Sequence, residues 1–92
     1  MEAIPKGREE ITGQIIFTKW YESDYGEVLK CTIHDDRGFK LFGSVPTIVV
    51  DFAQSENIEL KGRRIKLTGT VKPSDDDPQF GFYNRPAKAQ LI

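Results

Sequence analysis

The chain has 92 residues, 38% hydrophobic and 29% charged, a length that holds one domain and a composition too apolar for a disordered segment. Its 13 lysines and arginines are offset by 14 acids, which excludes a plain polycation and leaves any phosphate-binding role to the placement of charge. No apolar run approaches the roughly 20 residues that cross a bilayer, MEAIPKGREE lacks a signal-peptide core, and the lone Cys31 can build neither an internal disulfide nor a thiolate zinc set, so an intracellular, cytoplasmic protein without membrane contact is expected.

Residues 1–10 carry Pro5 and Gly7, show no sustained period and read as a flexible N-terminal arm, with 11–92 as the ordered domain. From Ile11 to Tyr21, ITGQIIFTKWY is rich in β-branched and aromatic residues and broken by Gly13, the pattern of one long, bent strand. ESDYG is turn-like. EVLKCTIH then alternates, with Leu29, Cys31 and Ile33 on one face and Lys30, Thr32 and His34 on the other, which predicts a half-buried strand in which Cys31 packs. DDRG supplies a tight turn with Gly38 suited to positive φ, and in FKLFGSV Phe39 and Leu41 alternate with Lys40 and Phe42.

After this third strand, Val45, Ile48, Val49 and Phe52 recur at helical spacing around Pro46, predicting a short helix to about Gln54 with these four on its apolar face. SENIELKG connects it to RRIKLTGTVKP, a strand with Ile65, Leu67, Gly69 and Val71 inward and Arg64, Lys66, Thr68, Thr70 and Lys72 outward. Pro73, Ser74 and Pro78 then enforce a loop around Asp75, Asp76 and Asp77, and a last strand runs from about Gly81 through Pro86 to the end. Three strands, a helix and two strands is the order of the five-stranded Greek-key OB-fold barrel, an all-β fold with one short helix.

Two segments carry a family resemblance. GQIIFTKW and LKGRRIKLTGTV resemble the first and fourth strands of OB-fold nucleic-acid-binding modules, single-stranded DNA-binding proteins and replication-factor-A-type domains among them. FKLFGSVP with SDDDPQFGFYNRPAKA is similar to small OB-like segments of phage and bacterial proteins associated with DNA metabolism. The resemblance spans 11–92 and implies a ligand face on the second and third strands, flanked by the loops after the first and fourth.

Single strands are held by a basic groove along the phosphates and by aromatic side chains on which bases stack. Basic and aromatic residues interleave in three places: Lys30, Lys40 and Phe42 on the polar face of strands two and three, Lys19, Trp20, Tyr21 and Tyr25 around the end of strand one, and Phe80, Phe82, Tyr83 and Arg85 with Lys88 beyond. Phe17 is expected in the core, while Trp20 is open between core and surface. Phe42 shares parity with Lys40, so alternation puts it outside. At least one of Phe80, Phe82 and Tyr83 must leave the core. Asp75 to Asp77 are expected to be solvated and to repel phosphates from one end of the groove.

His34 beside Asp35 and Asp36 lacks a second imidazole or an EF-hand spacing, and no catalytic set or cofactor motif is legible, so no metal, cofactor or enzyme activity is expected. The expected function is binding of single-stranded nucleic acid, foremost DNA, with little sequence preference, in replication, recombination or repair. RNA stays open, because contact with a 2′-hydroxyl is a matter of geometry. The alternative is a protein partner docked on the same aromatic face, and exposed barrel strands also allow a homodimer.

Overall fold

Alternation in the strands becomes a closed core in the computed structural model, which describes residues 3–92. The elements are β1 (Gly7–Ser23), β2 (Gly26–Asp35), β3 (Lys40–Ser44), α1 (Thr47–Ser55), β4 (Arg64–Pro73) and β5 (Phe80–Leu91). β1 pairs antiparallel with both β2 and β4, β2 with β3, and β4 with β5. A short parallel pairing of β3 with β5 closes the barrel in the order β1-β2-β3-β5-β4. This is the five-stranded OB-fold barrel with its helix between the third and fourth strands, as the element order predicts.

Ile11, Ile15, Cys31, Ile33, Phe39, Leu41, Ile65, Leu67 and Val71 fill the barrel and are fully buried. Gly13 lets β1 bend across β2, since a Cβ there would overlap the His34 carbonyl oxygen. Of the arm expected over 1–10, Met1 and Glu2 lie outside the described residues. The rest differs from a loose arm. Gly7 to Glu10 pair with Val71 to Thr68, and Ile4 joins the core. An unpaired β4 edge recruits these polar residues through their backbone, a signal that side-chain pattern does not carry.

Two further expectations are corrected. Phe17 is 45% exposed instead of buried, because Ile16 is a β-bulge: the register passes from Ile15↔Ile33 to Phe17↔Thr32. One extra residue inverts which parity faces the core. On α1 the buried residues are Val49 and Ala53, below a buried Val45, while Ile48 and Phe52 are 70% and 50% exposed. The helix therefore seats Val49 and Ala53 on the barrel end beside Val45, and leaves Ile48 and Phe52 half open along a groove shared with Ala89 and Leu91 of β5.

The β2–β3 turn explains its acids. Asp35 is buried, and its carboxylate accepts from the Arg37 backbone N–H at 2.9 Å and from Arg37 Nε and Nη2 at 2.9 and 3.0 Å. Asp36 pairs with Arg64 of β4 at 2.6 Å. Gly38 has φ 110°, the positive value that such turns favour.

Candidate nucleic-acid interface

Register builds the outer face. One row of paired residues, Phe17–Thr32–Phe42–Phe82–Lys72, crosses all the strands and carries three aromatic rings. Beside it run His34–Lys40–Phe80 on one side and Lys19–Lys30–Ser44 on the other. Tyr21 lies edge-on to Phe42 with centroids 6.2 Å apart, and Phe80 edge-on to Phe82 at 5.3 Å. The Lys19 ammonium is 5.3 Å from the Tyr21 ring, and that of Lys30 is 5.8 Å from both Tyr21 and Phe42, within cation–π range. Lys19 and Lys30 are directly opposed, a like-charge pair that weakens the ribbon and that an anion between them would relieve. A groove of about 380 Å³ between β3 and β5 is lined by Lys30, Phe42, Ser44, Phe82, Arg85 and Pro86 among others.

Thus Lys19, Tyr21, Lys30, Lys40, Phe42, Phe80, Phe82 and Arg85 share one continuous surface. Phe17 joins them unforeseen. The signal that could have found it is Ile15–Ile16, adjacent β-branched residues that break the alternation of their strand.

The other expected residues sit elsewhere. Trp20 has the opposite parity: it pairs with Leu29, 46% exposed, on the side that faces α1. Tyr25 is fully exposed at the tip of the β1–β2 hairpin, whose turn is tied by Ser23 Oγ donating to the Gly26 carbonyl at 2.7 Å. Lys88 is exposed in a bulge of β5 near the Lys66 end of β4, away from Phe42. Tyr83 is corrected from the face to the core. It is 4% exposed, and its hydroxyl donates to the Ser44 carbonyl at 2.8 Å and lies 3.4 Å from Cys31 Sγ.

Arg85 and Lys88 have φ 51° and 53°, each within one of the two register shifts of β5. A left-handed backbone on a side-chain-bearing residue costs roughly 1–2 kcal/mol and is sustained by surrounding contacts. For Arg85 that contact is Arg8, whose Nη1 donates to the Arg85 carbonyl at 2.6 Å and to Thr70 Oγ1 at 3.3 Å. Arg8 therefore fixes the bulge that presents Arg85 to the groove.

Charge is partitioned. Arg37 pairs with Asp35 and Glu9, Arg64 with Asp36 and Lys66 with Glu10. Among the described residues ten cations enter no ion pair, and five of them, Lys19, Lys30, Lys40, Lys72 and Arg85, lie on or beside the aromatic face. The near-neutral total thus conceals unpaired cations on the aromatic face. Hydrogen bonds from Arg64 hold the Asp36 carboxyl below its ordinary range, and burial pushes the Cys31 thiol up to about 11. Asp75 to Asp77 are exposed, with Asp77 Oδ1 accepting from the Gln79 N–H at 2.9 Å. Among the described residues no three or more His, Cys, Asp or Glu side chains gather where they could hold a metal ion, and no helix is long and apolar enough to cross a membrane.

No protein-family model, curated protein or solved structure matches this chain. The chemistry of the face accordingly rests on its own geometry.

Proposed function

We propose that the chain binds single-stranded nucleic acid, foremost DNA, across the outer face of β2, β3 and β5, with little sequence preference, and serves replication, recombination or repair. The observation that carries this reading is the aromatic row Phe17–Phe42–Phe82 flanked by unpaired Lys19, Lys30 and Lys40. Phe42, Phe82 and Tyr21 offer ring faces or edges to bases, each stack contributing about 1–3 kcal/mol. The lysines take phosphates, with Arg85 at the far wall of the groove. The chain acts by binding and not by catalysis. The free Cys31 thiol suits a reducing, intracellular setting.

The test is a fluorescence titration with labelled poly-dT and a duplex of equal length at two salt concentrations. Saturable binding to the single strand, weakened by salt, is expected. Phe42→Ala should weaken it roughly 5- to 150-fold, the equivalent of one lost stack. Lys40→Ala should lower the slope of log affinity against log salt by about 0.7, one phosphate contact on a single strand. Absence of binding to either nucleic acid at low salt overturns the reading and transfers the face to a protein partner.

A further inference from the structure

The β1–β2 ribbon leaves one edge open. β4 accompanies β1 only from Gly7 to Gln14, and the last bonds on that side join Ile15 to Gly62 and Arg63. Beyond the bulge β1 continues to Ser23 with β2 alone. Amides in an antiparallel ladder alternate between the two sides of a strand. Leu29 gives its carbonyl to Val45 on the β3 side, so Val28, Lys30 and Thr32 turn toward β1, where their partners are Tyr21, Lys19 and Phe17. Thr18, Trp20 and Glu22 therefore direct their N–H and C=O groups outward, and among the described residues no backbone group meets them. Such an edge is a template for another strand. A groove of about 200 Å³ runs beside it, lined by Thr18, Trp20, Leu29, Val50, Ile58 and Leu60 among others.

We infer that this edge pairs antiparallel with the same edge of a second copy, about a two-fold axis through Trp20. Residues 18–22, TKWYE, are complementary to themselves in that register. Trp20 meets its counterpart in a reciprocal hydrogen-bonded pair, Lys19 meets a tyrosine at 21, and Thr18 meets a glutamate at 22. No like charges are directly opposed. The Lys19–Tyr21 combination already forms within one chain at 5.3 Å, so the same chemistry serves across the seam. Side chains of directly paired residues lie on one face of a sheet. Both indoles therefore fall on the groove side, each covering apolar surface that the other chain leaves half open. Lys19 and Tyr21 of both copies fall on the opposite side and join the two aromatic faces into one sheet. A partner of this kind is an isologous dimer. The edge needs no nucleic acid to pair, although Lys19 and Tyr21 beside it also belong to the aromatic face.

Sedimentation equilibrium of the full chain without nucleic acid tests it, with emission of the sole tryptophan read over the same dilution series. Two-chain mass at high concentration should give way to one-chain mass on dilution, and the emission should move to longer wavelength in step. Trp20→Glu places like charges across the axis, and Glu22→Pro removes an outward N–H while sparing every bond to β2. Each should raise the dimer midpoint about tenfold or more, with far-ultraviolet circular dichroism unchanged. A chain that stays single at every concentration overturns the inference. So does a dimer whose midpoint neither substitution moves, or whose dissociation leaves the emission unchanged, because it would use another surface.

Discussion

Tyr83 occupies room that two glycines leave. A Cβ on Gly43 would lie 2.6 Å from the Tyr83 carbonyl oxygen and 2.7 Å from its ring, and one on Gly69 would lie 3.4 Å from Tyr83 Cβ. Gly43→Ala should therefore lower stability by about 3 kcal/mol, the upper end for overpacking, read as a shifted urea midpoint. Tyr83→Phe should cost about 1 kcal/mol by removing the hydrogen bond to Ser44. Cys31 beneath it supplies a pH dependence. Its thiol is pushed up by burial from 9.0, its ordinary value, to about 11. The unfolded state sheds this proton first, so the stability is whole below about pH 9 and declines by about 3 kcal/mol as pH rises through 11. Midpoints measured over that window should fall, and Cys31→Ala should fall less steeply. Buried Tyr83 is raised in the same direction and supplies the remainder. The inward turn of Cys31 and the outward turn of Phe42 were legible from alternation. That of Tyr83 was not, because the glycines making its space belong to strands distant in sequence.

At the scale of elements, the ribbon beyond Ile16 carries like charges face to face, Lys19 with Lys30 and Glu22 with Glu27. Opposed like charges weaken a strand pair. Lys30→Gln should therefore raise the melting temperature slightly while weakening single-strand binding, a divergence that calorimetry and titration would display together. A purely structural lysine would not separate the two readouts. Strand existence was legible in the sequence: β-branched and aromatic residues mark β1, alternation marks β2, β3 and β4, and the turn residues around Asp75 to Asp77 announce β5. Which face each residue takes was legible in β2, β3 and β4, where the period holds without interruption. It was not legible past Ile16 in β1, where a bulge inverts parity, nor on α1, where Ile48 and Phe52 fit a helical period as well as the stripe that is buried. The β5 bulges at Arg85 and Lys88 were hidden for a related reason: only the register against β4 reveals the extra residues.

Across the whole molecule, net charge hides local charge, since five cations without ion pairs gather on or beside the aromatic face. Ion pairs absorb Arg37, Arg64 and Lys66, whereas acids remain at the β1–β2 tip and in the loop of Asp75 to Asp77. Replacing those three aspartates with asparagine should tighten binding at low salt. The gain should shrink as ionic strength approaches 0.1 M, where the Debye length is about 10 Å. Unchanged affinity in titrations at low salt would count against any steering role for this loop. Composition alone gave only the net value; the separation needed the fold. The fold also decides where the barrel yields. Its closure depends on the parallel pairs Lys40↔Phe80, Leu41↔Gly81 and Phe42↔Phe82, while β1 holds β2 and β4 along much longer ladders. Amides of this seam should exchange with deuterium before those of β1–β2, as the least protected part of a cooperative structure. The candidate groove straddles the same seam. A strand lying across it would act as a suture, slowing exchange at β3 and β5 and leaving the far wall of the barrel unaffected.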